Sequence, residues 1–226
     1  MNAARLYYLS LDDADVGEEV KTHLMSALSS EKQVSLRRFV DQRDRDISLY
    51  AQHLLRRCVL DEGVESFFLK DVCYPQAAKP YWSESKNIAL DFNISHSGGL
   101  IIAAASQAIT LGVDVEKYRK LKNLNFKMVL SKDELDMVED HPEVFFDLWS
   151  KKEAVVKAAN TTGIARMRDV ILGQDHAELD GKVWHLKQIN EIKSDDDKYA
   201  INLATSEPVK ELIIKKISLN ELCHDN

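Results

Sequence analysis

The sequence predicts an α+β fold. Helix-like and strand-like stretches come in blocks, in the order helix, strands, helix, strands, and the regular βαβ alternation of a doubly wound sheet is absent. Chain breakers are sparse, with 8 glycines and 4 prolines in 226 residues, so the longer elements should be helices. No low-complexity linker or short repeat divides the chain.

The first helix is expected over residues 44–60, DRDISLYAQHLLRRCVL. There Ile47, Leu54, Leu55 and Val59 recur at near-helical spacing among polar residues. Residues 73–85 carry Pro75 and Pro80 and read as a loop or a sheet edge. Three short apolar runs follow, at 89–94, 100–106 and 110–115. Ser95-His96-Ser97-Gly98-Gly99 and Ser106-Gln107 separate them, and a hairpin is expected between the last two. Residues 143–160, EVFFDLWSKKEAVVKAAN, are the strongest helix candidate, closed by Asn160 and Gly163. Beyond Gly163, residues 183–186, 199–203 and 212–217 read as strands. Asp195, Asp196 and Asp197 fit a solvated turn.

Composition narrows the function classes. A hydrophobic fraction of 45% supports one good core, or two small ones sharing an interface. No apolar run approaches the roughly 18 residues of a membrane helix. The N-terminal MNAARLYYLSLDDADVGEE meets acids where a signal peptide is apolar, so a cytoplasmic protein without membrane partners is expected. A net charge of −7 argues against a general nucleic-acid binder. Cys58, Cys73 and Cys223 match no zinc spacing and read as reduced thiols.

Two acids stand out in Leu111-Gly112-Val113-Asp114-Val115-Glu116. A strand alternates faces, so Asp114 and Glu116 share one face about 7 Å apart, opposite Leu111, Val113 and Val115. Taken alone, this also fits a solvated acidic face. In a cleft, two carboxylates need a cation, and oxygen-only ligands favour Mg²⁺, Mn²⁺ or Ca²⁺ over zinc. A third carboxylate is available on the 143–160 helix, where Glu153 and Lys157 lie one turn apart on one face. Upstream, Phe92-Asn93-Ile94-Ser95-His96-Ser97-Gly98-Gly99 reads as a strand ending in a polar turn. Such a turn can offer backbone N–H groups, a hydroxyl and an imidazole to an anion. Lys79, in a loop, could bring an ammonium to a phosphate. The Walker A, GxGxxG, GxSxG and HExxH patterns are all absent.

Lys79-Pro80, Phe92 to Ser97, Gly112 to Glu116 and Trp149-Ser150-Lys151-Lys152-Glu153 through Lys157-Ala158 occur in this order. Together they resemble the 4′-phosphopantetheinyl transferase superfamily, in its larger single-chain Sfp type. The resemblance implies two similar α/β halves related by a pseudo-twofold axis, here residues 1–107 and 108–226, with coenzyme A bound between them. It implies Mg²⁺, with Mn²⁺ as a substitute, on Asp114, Glu116 and Glu153. Lys157 would contact the transferred phosphate, Ser95 and His96 the coenzyme A phosphates, and Lys79 the nucleotide. Among Arg37, Arg38, Arg43 and Arg45, Arg45 is the choice for the 3′-phosphate, although Ile47 falls near the usual arginine position. Glu153 and Lys157 would be catalytic. Whether Glu153 takes the serine proton itself or through a metal-bound water stays open.

The implied activity moves phosphopantetheine from coenzyme A to an acyl or peptidyl carrier protein serine. It releases adenosine 3′,5′-bisphosphate, with fatty acid, polyketide or nonribosomal peptide synthesis as the setting. Carrier domains are acidic, and residues 117–132, KYRKLKNLNFKMVLSK, hold six basic residues and no acid. This segment is the expected docking surface, with Phe126, Met128 and Val129 as apolar contacts. A monomer is expected, because the two halves would complete the cleft within one chain.

Overall fold

The computed structural model describes residues 2–11, 16–84, 88–121, 126–161, 163–193 and 197–224. Ser85 of the predicted loop, Lys122 of the predicted docking segment, and Asp195 and Asp196 of the predicted turn lie outside these residues.

The architecture is α+β, with one long helix set against each of two main sheets. The first half begins with β1 (Ala3–Ser10), then α1 (Glu18–Ser26), α2 (Ser30–Arg37) and α3 (Gln42–Asp61). The short strands β2 (Val72–Cys73) and β3 (Tyr81–Trp82) pair with each other inside the stretch read as loop or edge. Next come β4 (Asp91–Ser97) and β5 (Leu100–Ser106). The second half contains β6 (Leu111–Lys117), α4 (Lys132–Asp140), α5 (Val144–Ala158), α6 (Ile164–Arg168), β7 (Ile171–Leu172), β8 (His176–Leu179), β9 (Lys182–Gln188) and β10 (Tyr199–Thr205). Then β11 (Glu211–Lys216) and α7 (Leu219–His224) close the chain.

The first sheet has the order β11-β1-β5-β4, and the second β6-β10-β9-β8-β7. This corrects one expectation. The hairpin is β4–β5, because Gly98 and Gly99 take positive φ angles of 60° and 98° at the turn. No such turn links β5 to β6; residues 107–110 carry the chain from one sheet to the other, and Ser106 Oγ accepts from the Ala108 and Ile109 amides. β11 returns to pair in parallel with β1, and Leu219 and Leu222 of α7 join the first half's core.

Three apolar clusters hold the layers together. α3 covers one face of the first sheet with Leu54, Leu55, Cys58 and Val59. α5 covers the second sheet with Ala154, Val155 and Ala158. The remaining faces meet each other, bringing Leu6, Ile102 and Ala104 against Leu111, Val113, Val115 and Leu203. The odd positions of β6 therefore enter the inter-sheet core, and Asp114 and Glu116 turn toward α5. Among the described residues, no helix is long and apolar enough to cross a membrane.

Candidate active site

The site forms where α5 crosses β6. Gly112 sets the approach: a Cβ there would lie 2.3 Å from both the Ala154 carbonyl oxygen and the Ala158 nitrogen. Only a residue without a side chain lets the helix backbone come this close. Buried Ser150 fixes the crossing, donating to the Asp114 carbonyl at 3.2 Å and accepting from Asn202 Nδ2 at 3.2 Å. Fully buried Lys152 anchors the same helix by pairing with Glu134 at 3.0 Å and donating to the Met167 and Val170 carbonyls.

Asp114, Glu116 and Glu153 each offer an oxygen, and the three oxygens lie within 4.8 Å of one another. Lys157 Nζ reaches Asp114 Oδ1 at 2.7 Å and Glu153 Oε1 at 3.2 Å. Trp149 Nε1 donates to Glu153 Oε2 at 2.8 Å, and Arg119 pairs with Glu116 at 2.9 Å. The metal assignment passes one direct test of fit. Asp114 Oδ2 is buried and has no hydrogen-bond partner, while Oδ1 is taken by Lys157 and Ser95. An orphaned anionic oxygen in an all-oxygen set suits a hard divalent cation.

The electrostatics agree. Burial pushes the Asp114 carboxyl up to about 7; Lys157 pulls it down, and Glu153 adds to the rise. Burial also works against the Lys157 charge, but Asp114 and Glu153 outweigh it and hold the ammonium above the usual lysine range. A testable consequence concerns pH. A carboxyl raised in the fold binds its proton more tightly there than in the unfolded chain. Its contribution to stability is full below its ordinary value of 3.8 and is lost as pH climbs to about 7. Thermal melts in EDTA should therefore fall in Tm between pH 5 and 7, and saturating Mn²⁺ should flatten that slope.

Not every predicted residue joins this cluster. Ser95 does, but with partners other than a phosphate. Its hydroxyl donates to Asp114 Oδ1 at 2.8 Å and accepts from Lys157 Nζ at 3.2 Å and from the Val115 amide at 3.3 Å. One donor and two lone pairs are thereby used. Ser95 and His96 lie on the strand β4 and not in a turn, so they face opposite ways. His96 opens on a cleft lined by Lys32, Gln52, Tyr74 and Pro80. Loss of surrounding water, then the Lys157 charge, hold its imidazole below the ordinary value. Lys79 turns inward, to Asp91 at 2.5 Å and the Leu111 carbonyl at 2.9 Å. Arg45 lines a separate cleft with Lys21, Arg37 and Asp46.

In the basic segment, Lys120, Lys127 and Met128 are exposed, whereas Val129 is buried and the Phe126 ring packs at a tilt against Phe145, centroids 4.6 Å apart. Only Met128 of the three predicted apolar contacts is open. Lys117 pairs with Asp197 at 2.7 Å. Sequence reasoning missed Lys32, whose ammonium sits over the Tyr74 ring in the His96 cleft. It also gave no role to Asn93, Ser97 or Trp149, although the alternation of polar residues in DFNISHS was a visible signal.

A strand dyad, a helix glutamate and a lysine one turn on make a cluster compatible with a divalent cation. Comparison with known proteins makes this specific. A family model described as 4′-phosphopantetheinyl transferase, N-terminal, matches residues 17–108, and one for the 4′-phosphopantetheinyl transferase superfamily matches residues 110–204. A Bacillus subtilis protein named 4′-phosphopantetheinyl transferase is 31% identical over 166 residues, covering 69% of this chain and 70% of that protein. The transferase Sfp of Bacillus subtilis strain 168 is 28% identical over 158 residues, 64% of this chain and 66% of that one. The L-aminoadipate-semialdehyde dehydrogenase-phosphopantetheinyl transferase of Schizosaccharomyces pombe is 26% identical over 176 residues, 68% of each chain. The chain belongs to the 4′-phosphopantetheinyl transferase superfamily.

Proposed function

We propose that this protein transfers 4′-phosphopantetheine from coenzyme A to a serine of an acyl or peptidyl carrier protein, with Mg²⁺ or Mn²⁺, releasing adenosine 3′,5′-bisphosphate. The observation that carries the reading is the convergence of Asp114, Glu116 and Glu153 beside Lys157, in a chain of this superfamily. Asp114, Glu116 and Glu153 would hold the cation, which supplies positive charge to the pyrophosphate as negative charge shifts during transfer.

The remaining roles follow from the protein's own groups. The serine oxygen bonds to the β-phosphorus, and the bond from that phosphorus to the oxygen bridging to the α-phosphate breaks. Glu153, oriented by the Trp149 indole, takes the hydroxyl proton. Lys157 stabilises the charge on the transferring and leaving phosphates. His96, held toward its neutral form, donates a hydrogen bond to the diphosphate from the adjoining cleft. Lys32 in that cleft and Arg45 in the next are candidates for the outer phosphates. The apolar pocket walled by Val156, Ile164 and Met167 opens beside Glu153 and Lys157 and has room for the pantetheine arm.

Carrier docking is proposed on the exposed part of the basic segment. Changing Lys120 and Lys127 to glutamate should raise KM for the carrier severalfold and flatten its salt dependence, with KM for coenzyme A unchanged. A monomer and a cytoplasmic location remain part of the proposal. The test of function is incubation with Mg²⁺, coenzyme A and an apo carrier. The carrier should gain the mass of one phosphopantetheinyl group; a carrier of unchanged mass under saturating coenzyme A contradicts the reading.

A further inference from the structure

The outer edge of β6 is closed by side chains. β4 and β6 lie side by side in the same direction at an offset of 20 residues, yet they belong to different sheets. The Leu111 amide donates to Asp91 Oδ2 at 2.7 Å, and the Val113 amide to Asn93 Oδ1 at 2.9 Å. The Val115 amide donates to Ser95 Oγ at 3.3 Å, and the Lys117 amide to Ser97 Oγ at 3.1 Å. Two carbonyls on this edge are also taken, Leu111 by Lys79 at 2.9 Å and Val113 by Lys157 at 3.4 Å.

We propose that Asp91, Asn93, Ser95 and Ser97 form a side-chain ladder that sets the register of β6 against the first half, and that Asn93 is a positioning residue for the carboxylate site. Alternate residues of a strand direct their backbone groups to the same edge, so all four amides face β4. Unpaired, they would be polar groups at the seam between two sheets. The two serine rungs do double duty in a repeated pattern. Each accepts from the amide 20 residues on and donates to the carboxylate 19 residues on: Ser95 to Asp114 at 2.8 Å, Ser97 to Glu116 at 3.3 Å. Register along the ladder and aim of the carboxylates are therefore one variable. A two-residue slip would leave neither serine beside its acid. Asn93 is buried, and its amide oxygen is spent on the Val113 rung. Its influence on the site runs through β6. The positioning claim rests on the proposed metal reading; the ladder itself does not.

The experiment pairs residue-resolved hydrogen exchange of the metal-free protein with Mn²⁺ titration by calorimetry. In the wild type, the amides of Leu111, Val113, Val115 and Lys117 should exchange slowly for an edge strand. Asn93→Leu removes the acceptor at similar size. It should speed Val113 exchange about tenfold or more, weaken Mn²⁺ binding about tenfold, and lower kcat with KM for coenzyme A unchanged. Asn93→Asp keeps an oxygen in place and should restore all three. If Asn93→Leu fails to fold, Ser97→Ala removes the end rung and should speed Lys117 exchange while weakening Mn²⁺. Unchanged exchange at the altered rung overturns the ladder. Faster exchange with unaltered Mn²⁺ affinity and kcat overturns the positioning role. A wild type that binds no Mn²⁺ overturns the metal reading, and the exchange rates then judge the ladder alone.

Discussion

Replacing Glu153 with alanine should abolish the proposed transfer and leave the fold standing. Glu153 is one of three oxygen donors in the cluster and the proposed proton acceptor, so its loss removes a metal ligand and a base together. The expected fall in kcat is roughly 10³-fold or more. The fold survives because the Glu153 side chain is 30% exposed and neither group it leaves is stranded. The Trp149 indole can turn to water, and Lys157 keeps Asp114 at 2.7 Å. Asp114→Ala should be equally inactive but less stable, since it strips Lys157 and Ser95 of their main partner. Steady-state turnover at saturating Mg²⁺, with circular dichroism and Tm on the same samples, separates the two outcomes. Near-normal turnover in Glu153→Ala contradicts the assignment.

Gly112→Ala is expected to be the most damaging change outside the carboxylates. The new methyl would meet backbone atoms of α5 at 2.3 Å, and backbone cannot rotate aside. The helix must lift from β6, an overpacking cost of about 3 kcal/mol. Because Glu153 rides on the lifted helix and Asp114 stays on the strand, the site opens as well. A displacement near 1 Å can cost about 10²-fold in rate. The urea midpoint should drop and kcat should fall together. A variant that loses stability but keeps kcat would show that the helix approach does not set the site.

How much of this was legible depended on range. The alternation in Leu111 to Glu116 put both acids on one face, and the one-turn spacing of Glu153 and Lys157 put them on one helix side; both followed from local period alone. The pairing of strands did not. β5 and β6 are adjacent in sequence and both apolar, yet which of them turns back was decided by the glycine pair after β4. The return of β11 to β1 was invisible for a similar reason, since partners more than 200 residues apart leave no local trace. Ser95 and His96 read as part of a polar turn, with a shared phosphate role implied by the resemblance, whereas they lie on a strand, which sends neighbours to opposite faces. Lys79 illustrates the remaining limit. A loop lysine reads as exposed, and only the fold brings Asp91 and the Leu111 carbonyl to it. Val129 and Phe126 fell to the same cause, as apolar residues in a basic segment that fold inward onto the α5 core.

One divalent cation is expected among Asp114, Glu116 and Glu153. Anomalous diffraction from a crystal soaked in Mn²⁺ tests it most directly. A single strong peak is expected within coordination distance of all three carboxylates, including Asp114 Oδ2, and it should disappear in Glu153→Ala. A peak elsewhere, or none among these oxygens at saturating Mn²⁺, contradicts it.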